Sequence, residues 1–210
     1  MVEAAGIEPA GELSEVLGTS RIFLSQTPRF CASSARPKAR PLYYLSTVLD
    51  DYSRYIITWK LSPKMEASDV SDTLDQAIAV TGVDGVAVRH RPRLLSDNGP
   101  AYVSGELRDY LEQRGMTHTR GAPYHPMTQG KIERYHRSMK NVVRLENYYS
   151  PWELERALAR FVDYYNHEWL HEAIGNVTPD DMYHGRQREI RSSRDRIKRL
   201  TLERRKKENQ

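Results

Sequence analysis

Cysteine is almost absent from this sequence of 210 residues, because Cys31 is its single example. One cysteine excludes an internal disulfide bond and a structural zinc site of the cysteine-paired finger type. No stretch approaches the roughly 18 consecutive apolar residues that a membrane-spanning helix needs. The N-terminus lacks the basic-then-apolar order of a secretion signal. We therefore expect a cytoplasmic protein with one hydrophobic core and no membrane partner.

An excess of charge of one sign is also missing from most of the chain. The 32 Lys and Arg residues nearly balance the 28 Asp and Glu residues, which leaves a formal net charge of +4. Residues 184–210 hold 11 of these cations against 4 of the acids, so the whole surplus lies in the C-terminal tail. Such a basic run is typical of a solvated helix or of an arm that binds phosphates. Charge alone therefore permits DNA binding without establishing it.

The first 42 residues show no sustained hydrophobic period, and prolines interrupt them. This pattern predicts a weakly ordered segment in which residues 21–25 form the one strand-like stretch. From Tyr43 onward the periodicity predicts the order β-β-α-β-α-β-α-α. The predicted elements are a hairpin over 43–61, a helix over 67–80, a strand over 93–96, a helix over 104–114, an edge strand over 116–119, and helices over 128–145 and from 150 onward. The helix over 128–145 is expected to face inward through Ile132, Tyr135, Met139 and Val142. The helix from 150 onward is expected to carry the apolar residues Leu154, Leu158, Phe161, Val162 and Tyr165.

Two carboxylates occupy positions where a side chain is presented rather than buried. Asp97 directly follows the strand over 93–96, at the edge where ligands gather in open α/β sheets. Its simpler interpretation is a turn-forming Asp before Asn-Gly. Glu133 lies near the start of the helix over 128–145, where it shares a face with Arg137 and Lys140. That face is either a ladder of charge pairs or a metal-binding carboxylate on a helix that also binds phosphates.

Four segments carry a family resemblance, and together they cover most of residues 43–185. They are LSTVLDDYSRYIITWKL (45–61), LLSDNGPAYVS (94–104), APYHPMTQGKIERYHRSMK (122–140) and YNHEWLHEAIGNVTPDDMYHG (165–185). These segments resemble the catalytic core of insertion-sequence transposases and retroviral-type integrases. The resemblance implies a ribonuclease-H-like α/β fold, with a mixed central sheet flanked by helices. In that family the second catalytic Asp and the catalytic Glu are commonly 35 residues apart, a spacing that Asp97 and Glu133 reproduce.

The resemblance also implies a site and a chemistry. Asp97 and Glu133 take the roles of catalytic, metal-binding acids for Mg²⁺ or Mn²⁺, in a site that holds two ions in the intact family. The implied reaction is metal-dependent cleavage at the ends of a mobile element, followed by strand transfer into target DNA. The implied partners are element ends, target DNA and further copies of the chain in a synaptic complex at the nucleoid. The expected DNA contacts are Lys140, Arg137, Lys131, Gln129, Tyr124 and His125.

The N-terminal segment departs from the family pattern. The family carries its first catalytic Asp on the first strand, but this chain has no Asp before Asp50. We therefore expect a truncated or out-of-frame N-terminus, a first strand that is missing or replaced, and impaired strand transfer. Because an open sheet centre would leave buried backbone groups unpaired, we expect the region of Ile22–Leu24 or residues near Phe30 to fill the gap. Asp50 or Asp51 could stand in for the missing acid, although both are more typical of a turn.

The expected organisation is a weakly ordered segment over 1–42, a catalytic core over 43–185 and a basic, helical tail over 186–210. Two other functions share part of the pattern. The chain could be a non-enzymatic DNA-binding fragment, in which the tail and the helix over 128–145 hold phosphates without metal chemistry. It could also be a ribonuclease-H-type nuclease for hybrids, although the spacing and the Tyr-Asn and Thr-Pro segments favour a transposase.

Overall fold

A computed structural model describes residues 21–31, 42–64, 66–85, 91–121 and 130–209 of the protein. The strands of the described ranges are β1 (Arg21–Cys31), β2 (Leu42–Asp50), β3 (Ile56–Ser62), β4 (Arg93–Ser96) and β5 (Thr117–Arg120). The α-helices are α1 (Ala67–Thr81), α2 (Pro100–Val103), α3 (Gly105–Gln113), α4 (Gly130–Val143), α5 (Pro151–His167), α6 (Pro179–Tyr183) and α7 (Gln187–Glu208). Short 3₁₀ helices lie at Val83–Gly85 and Glu172–Ile174. The predicted strands and helices from Tyr43 onward are confirmed in kind and order.

One mixed sheet contains these strands in the order β3-β2-β1-β4-β5. β1 and β2 are antiparallel, as are β2 and β3, whereas β1 pairs parallel with β4 and β4 with β5. The predicted edge strand is therefore β5, at the border of the sheet. This is the mixed α/β sheet flanked by helices that the resemblance implies.

The centre of the sheet is filled by β1. In its register, Ile22 lies between Asp50 of β2 and Leu94 of β4. The replacement strand expected near Ile22 is thus confirmed, and it runs on through Phe30. Its eleven residues belong to segment 1–42, for which the sequence predicts little order. Pairing explains why these residues form a strand, because β2 and β4 provide hydrogen-bond partners for the backbone N–H and C=O groups of β1.

Apolar side chains pack on both faces of the sheet. Leu49 and Leu95 belong to a core with α4 and α5, whereas their neighbours Val48 and Leu94 belong to a core with α1 and α3. This alternation follows from the two-residue period of a strand. The inward-facing residues predicted for α5 are confirmed as buried, namely Leu154, Leu158, Phe161, Val162 and Tyr165. The two cores hold the strand ends and α4 in fixed positions.

Helix α4 packs on the sheet through Ile132, Tyr135 and Met139, as predicted. Its last inward-facing residue differs from the prediction. The expectation of a buried Val142 is wrong, because Val142 is 50% exposed and Val143 is 2% exposed. Eleven residues complete about three turns of 3.6 residues each, so Val143 returns to the face of Ile132.

The basic tail forms α7, which is almost entirely exposed. At its start, Ile190 packs against a small cluster of Ile174, Val177 and Met182. Across the described residues, no helix is long and apolar enough to cross a membrane.

Candidate metal and nucleic-acid site

Asp97 lies at the carboxyl end of β4, as predicted, and a tight turn holds it there. Its Oδ1 accepts a hydrogen bond from the backbone N–H of Gly99 at 2.8 Å. A Cβ atom on Gly99 would lie 2.9 Å from this oxygen, so a larger residue here would displace the Asp97 carboxylate. Asn98 fixes the turn by donating from Nδ2 to the Gly121 carbonyl at 2.8 Å. Asp97 is therefore a turn residue whose half-buried carboxylate stands beyond the central strands.

Glu133 is exposed in the first turn of α4 and lines a groove of about 720 Å³. The cations Arg137, Lys140 and Arg144 line the same groove. Partial burial and the nearby Arg144 lower the pKa of Lys140, as expected where positive charges crowd together. The structure thus brings Glu133, Arg137 and Lys140 together, as their spacing predicts. The charge of this groove suits a phosphate backbone.

The described residues do not form a complete metal site. No group of three or more His, Cys, Asp or Glu side chains among them is arranged to hold an ion. The described lining of the Glu133 groove does not include Asp97. The pairing of Phe23 with Leu95 brings residue 25 of β1 level with residue 97, and β1 contains no Asp or Glu. These residues therefore do not supply the three carboxylates that would hold a pair of hard divalent ions.

Asp50 has a structural environment. It is buried, and its Oδ2 accepts hydrogen bonds from the backbone N–H of Ser53 at 2.7 Å and from Ser53 Oγ at 2.6 Å. Burial raises the pKa of Asp50, and the bonds from Ser53 oppose that rise. Asp50 is level with Leu94 in the sheet, about 10 Å along the strands from the level of Asp97 at 3.3 Å per residue. It closes the β2–β3 turn and does not replace the missing acid.

Asp51 joins the β2–β3 turn to the start of α4. Its carboxylate accepts a hydrogen bond from Lys131 Nζ, which also donates to the Asp51 carbonyl at 3.2 Å. Arg54 Nη1 lies 3.5 Å from the same carboxylate. Asp51 therefore forms ion pairs with two cations, Lys131 and Arg54. Of the expected DNA contacts, Lys131 is engaged in this ion pair, and Gln129, Tyr124 and His125 lie outside the described residues.

A second cleft, of about 910 Å³, lies on the other flank of α4. It is lined by Lys131 and Arg134 of the helix, by Arg54 of the β2–β3 turn, and by residues 169–173. Sequence reasoning singled out neither Arg54 nor Arg134. Both stand inside the family-like segments, but their meeting depends on the packing of α4 against the turn.

The sequence matches two profiles described as the integrase core domain, over residues 31–126 and 114–179. This chain belongs to the integrase core family. The core is 28% identical over 137 residues to the transposase for insertion sequence element IS629 of Shigella sonnei, which covers 65% of this chain and 44% of the transposase. It is 30% identical over 118 residues to the Gag-Pro-Pol polyprotein of mouse mammary tumor virus, covering 54% of this chain and 6% of the polyprotein. The chain thus spans less than half the length of these relatives.

Solved integrase structures share the fold of this integrase core. The intasome of simian T-cell lymphotropic virus matches with a TM-score of 0.61 and 24% identity over 77% of this chain and 54% of that chain. The catalytic core domain of BIV integrase matches with a TM-score of 0.54 and 21% identity, covering 80% and 96% of the two chains. The dimeric HTLV-2 integrase core in complex with magnesium matches with a TM-score of 0.56 and 18% identity, covering 79% of this chain and 98% of that chain. The ribonuclease-H-like fold is thereby confirmed.

Two signatures of the integrase core have structural roles here. In the Tyr-Asn signature, Asn166 Oδ1 accepts from the Ile56 N–H at 2.9 Å, and Asn166 Nδ2 donates to the Ile56 carbonyl at 3.0 Å. In the Thr-Pro signature, Thr178 caps α6 by accepting from the Asp181 N–H at 3.1 Å. Trp169, which follows the Tyr-Asn signature, packs against the rings of Tyr164, Tyr165 and His171.

Proposed function

We propose that this chain is the core of a DNA transposase or integrase whose Mg²⁺- or Mn²⁺-dependent strand cleavage and strand transfer are impaired. Asp97 and Glu133 would be two of its catalytic acids. The observation that carries the proposal is β1, which fills the sheet centre of an integrase core without any Asp or Glu. When bound, divalent ions activate the attacking water or 3′-hydroxyl and stabilise the leaving oxygen. With one acid missing, we expect weak ion binding and little strand transfer.

DNA is the proposed substrate, and the groove of Glu133 is the proposed place where it binds. Arg137, Lys140 and Arg144 give this groove a surplus of positive charge around a single described acid, Glu133. Cations in such an arrangement neutralise successive phosphates, and binding then weakens as salt rises. A magnesium complex of the HTLV-2 core, which shares the fold, supports Mg²⁺ as the ion.

Self-association is part of the proposal. The simian T-cell lymphotropic virus match is an intasome, and the HTLV-2 core is described in dimeric and trimeric forms. By analogy, we propose that this chain acts as a homo-multimer that brings DNA ends together at the nucleoid in the cytoplasm. Analytical ultracentrifugation with and without duplex DNA tests this, and a monomer under both conditions would contradict it.

A pair of assays on the purified chain tests the proposed activity. Fluorescence anisotropy of a labelled duplex measures binding at several salt concentrations, and gel analysis measures cleavage and joining with Mg²⁺ or Mn²⁺. We expect salt-sensitive binding with little or no joining. Efficient metal-dependent joining would contradict the impairment, and an absence of binding at low salt would contradict a role on DNA.

A second function, DNA binding without catalysis, is favoured by the lack of a three-ligand cluster among the described residues. The variants Asp97→Asn and Glu133→Gln separate the two functions. If they abolish a residual metal-dependent nicking activity, the chain is an impaired enzyme. If no nicking occurs in the parent chain while binding persists, the chain is a DNA-binding fragment. Cleavage confined to RNA–DNA hybrids would instead favour a ribonuclease-H-type nuclease.

A further inference from the structure

The cleft on the flank of α4 away from Glu133 contains buried polar atoms that make no hydrogen bond to the described residues. Arg54 Nη1 and His171 Nε2 are both inaccessible to solvent, and neither has a hydrogen-bond partner among those residues. Buried polar groups are nearly always hydrogen-bonded, so both atoms can bind a polar group that enters the cleft. The nearest acid to Arg54 is Asp51, whose Oδ1 is 3.5 Å away and also accepts from Lys131.

Positive charge dominates this cleft. Three cations, Arg54, Lys131 and Arg134, line it together with one acid, the exposed Glu172, and Asp51 lies beside it. Arg134 has no ion pair with any described carboxylate. Its charge and that of Arg54 both act on His171, where burial and these two cations together lower the pKa. His171 is therefore neutral at pH 7 and carries one N–H donor, while its other ring nitrogen accepts.

The backbone of Arg54 is unusual. Its φ of 69° lies in the left-handed region, which few non-glycine residues adopt. Conformations of this kind cluster at ligand sites, where the surrounding structure maintains them. Here the turn is held by the Arg54 N–H, which donates to the Asp50 carbonyl at 3.0 Å. The strained turn and the buried guanidinium belong to the same residue.

We propose that Arg54, Arg134 and His171 form a binding site for a phosphate group of a DNA backbone. A guanidinium fork matches two phosphate oxygens, and an imidazole N–H can donate to a third. The site lies across α4 from the groove of Glu133, and the two share no lining residue. One helix would thus contact DNA phosphates on both of its flanks. This inference rests on the proposed role of the chain on DNA.

Two variants and a matched control test the site in the full chain. Arg54→Gly removes the guanidinium and relieves the positive φ, so the fold should be retained. Arg134→Gln removes an exposed cation without touching the core. Arg108→Gln is the control, because Arg108 is an exposed cation on α3 that lines neither cleft. Thermal unfolding of each variant verifies that it is folded.

Duplex binding measured by anisotropy across a salt series gives the first result. We expect Arg54→Gly and Arg134→Gln each to weaken binding by about tenfold, as loss of a charge-assisted hydrogen bond should. Each should also lower the slope of log K against log salt by about 1. Arg108→Gln should match the parent. If Arg54→Gly and Arg134→Gln bind like Arg108→Gln, the site on DNA is overturned.

Inorganic phosphate supplies a test that does not depend on DNA. Millimolar phosphate, compared with chloride at equal ionic strength, should shift the His171 ring resonances in NMR spectra of the parent but not of Arg54→Gly. A shift without any DNA binding would contradict the proposed function and the DNA source, and would leave a site for free phosphate. No shift, together with unchanged DNA binding in both variants, would overturn the site itself.

Discussion

Asn166 replaces a missing neighbour of β3, which is an edge strand of the sheet. Its side-chain amide is buried and bonds to both backbone groups of Ile56, in the manner of a strand residue. The bond pair ties α5 to the sheet and holds the turn that carries Asp51 and Arg54. Asn166 of the Tyr-Asn signature therefore has a structural role, because it stabilises the fold.

Asn166→Ala should lower the free energy of unfolding by about 2–4 kcal/mol, because each of two buried backbone groups left unpaired costs about 1–3 kcal/mol. Urea unfolding followed by circular dichroism measures the change. Asn147→Ala, at an exposed position, is the matched control and should change stability by less than about 0.5 kcal/mol. Equal stability of the two variants would show that the Asn166 bonds carry no net stability.

His136 makes stability depend on pH. It is buried on α4, and burial with a smaller contribution from Lys140 lowers its pKa to about 3. Between pH 6.5 and pH 3 the unfolded chain therefore binds a proton that the native chain does not. The free energy of unfolding therefore decreases as pH falls, by about 1.4 kcal/mol per pH unit for one such group. His118 and His171 add to this slope, because burial lowers the pKa of each as well.

His136→Leu should flatten the fall in unfolding free energy between pH 6 and pH 4 by about one proton equivalent, or about 1.4 kcal/mol per pH unit. Denaturant unfolding at a series of pH values measures the slope. Lys140→Gln provides a second test, because removing that cation should raise the native-state pKa of His136, so the loss of stability should stop at a higher pH and be smaller in total. A slope that His136→Leu leaves unchanged would contradict the assignment to this residue.

At the scale of elements, β1 fills the centre of the sheet, and under the proposed function it also limits the chemistry. It supplies the central strand but lacks an acid where residue 25 is level with Asp97. Ser25→Asp should therefore restore a third carboxylate to the site and tighten Mn²⁺ binding by about tenfold or more, because hard ions prefer several carboxylate ligands. Isothermal titration calorimetry measures the affinity, and the joining assay measures whether strand transfer appears.

The matched control for this change is Gln26→Asp. Successive residues of a strand alternate between the two faces of a sheet, so position 26 does not share the face of position 25. Both variants add one negative charge to β1. If Gln26→Asp tightens Mn²⁺ binding as much as Ser25→Asp, the effect comes from the added negative charge alone. The proposal that position 25 lies beside Asp97 would then be contradicted.

The elements that sequence predicted well carry their own periodic signal. α1 repeats its apolar residues on one face and ends at Gly82, whose φ of 65° suits a C-cap glycine, and both features are local. The place of β1 at the sheet centre is not local, since it depends on the pairing needs of β2 and β4. Asp97 and Glu133 were found through family segments and spacing. The cleft of Arg54 could not be predicted from the sequence, because it forms only when α4 packs beside the β2–β3 turn.

At the scale of the whole molecule, the cations of the described residues include those on the two flanks of α4 and those on the exposed helix α7. Residues 184–210 hold the entire charge surplus of the chain, and the structure places most of them in α7. The cations of α7 line neither the Glu133 groove nor the cleft of Arg54, so they can bind further phosphates along a DNA backbone. α7 is therefore expected to strengthen DNA binding as an accessory surface.

Replacing four cations near the end of α7 by glutamine tests this role, in the combined variant Arg204→Gln, Arg205→Gln, Lys206→Gln and Lys207→Gln. The four side chains are exposed, so unfolding should be unaffected. Duplex binding should weaken, and the slope of log K against log salt should fall by about 1 for each phosphate that the variant no longer neutralises.

A control with the same net charge distinguishes a local interaction from overall attraction. It replaces four exposed cations elsewhere by glutamine, namely Lys64, Arg108, Arg156 and Arg160. Direct binding of DNA by α7 predicts that the α7 variant has lower affinity and lower salt dependence, while the control retains most of both. If the two variants bind equally, DNA senses only the net charge of the protein, and α7 does not touch the duplex. Because both variants keep Glu133, Arg137 and Lys140, any difference between them belongs to α7.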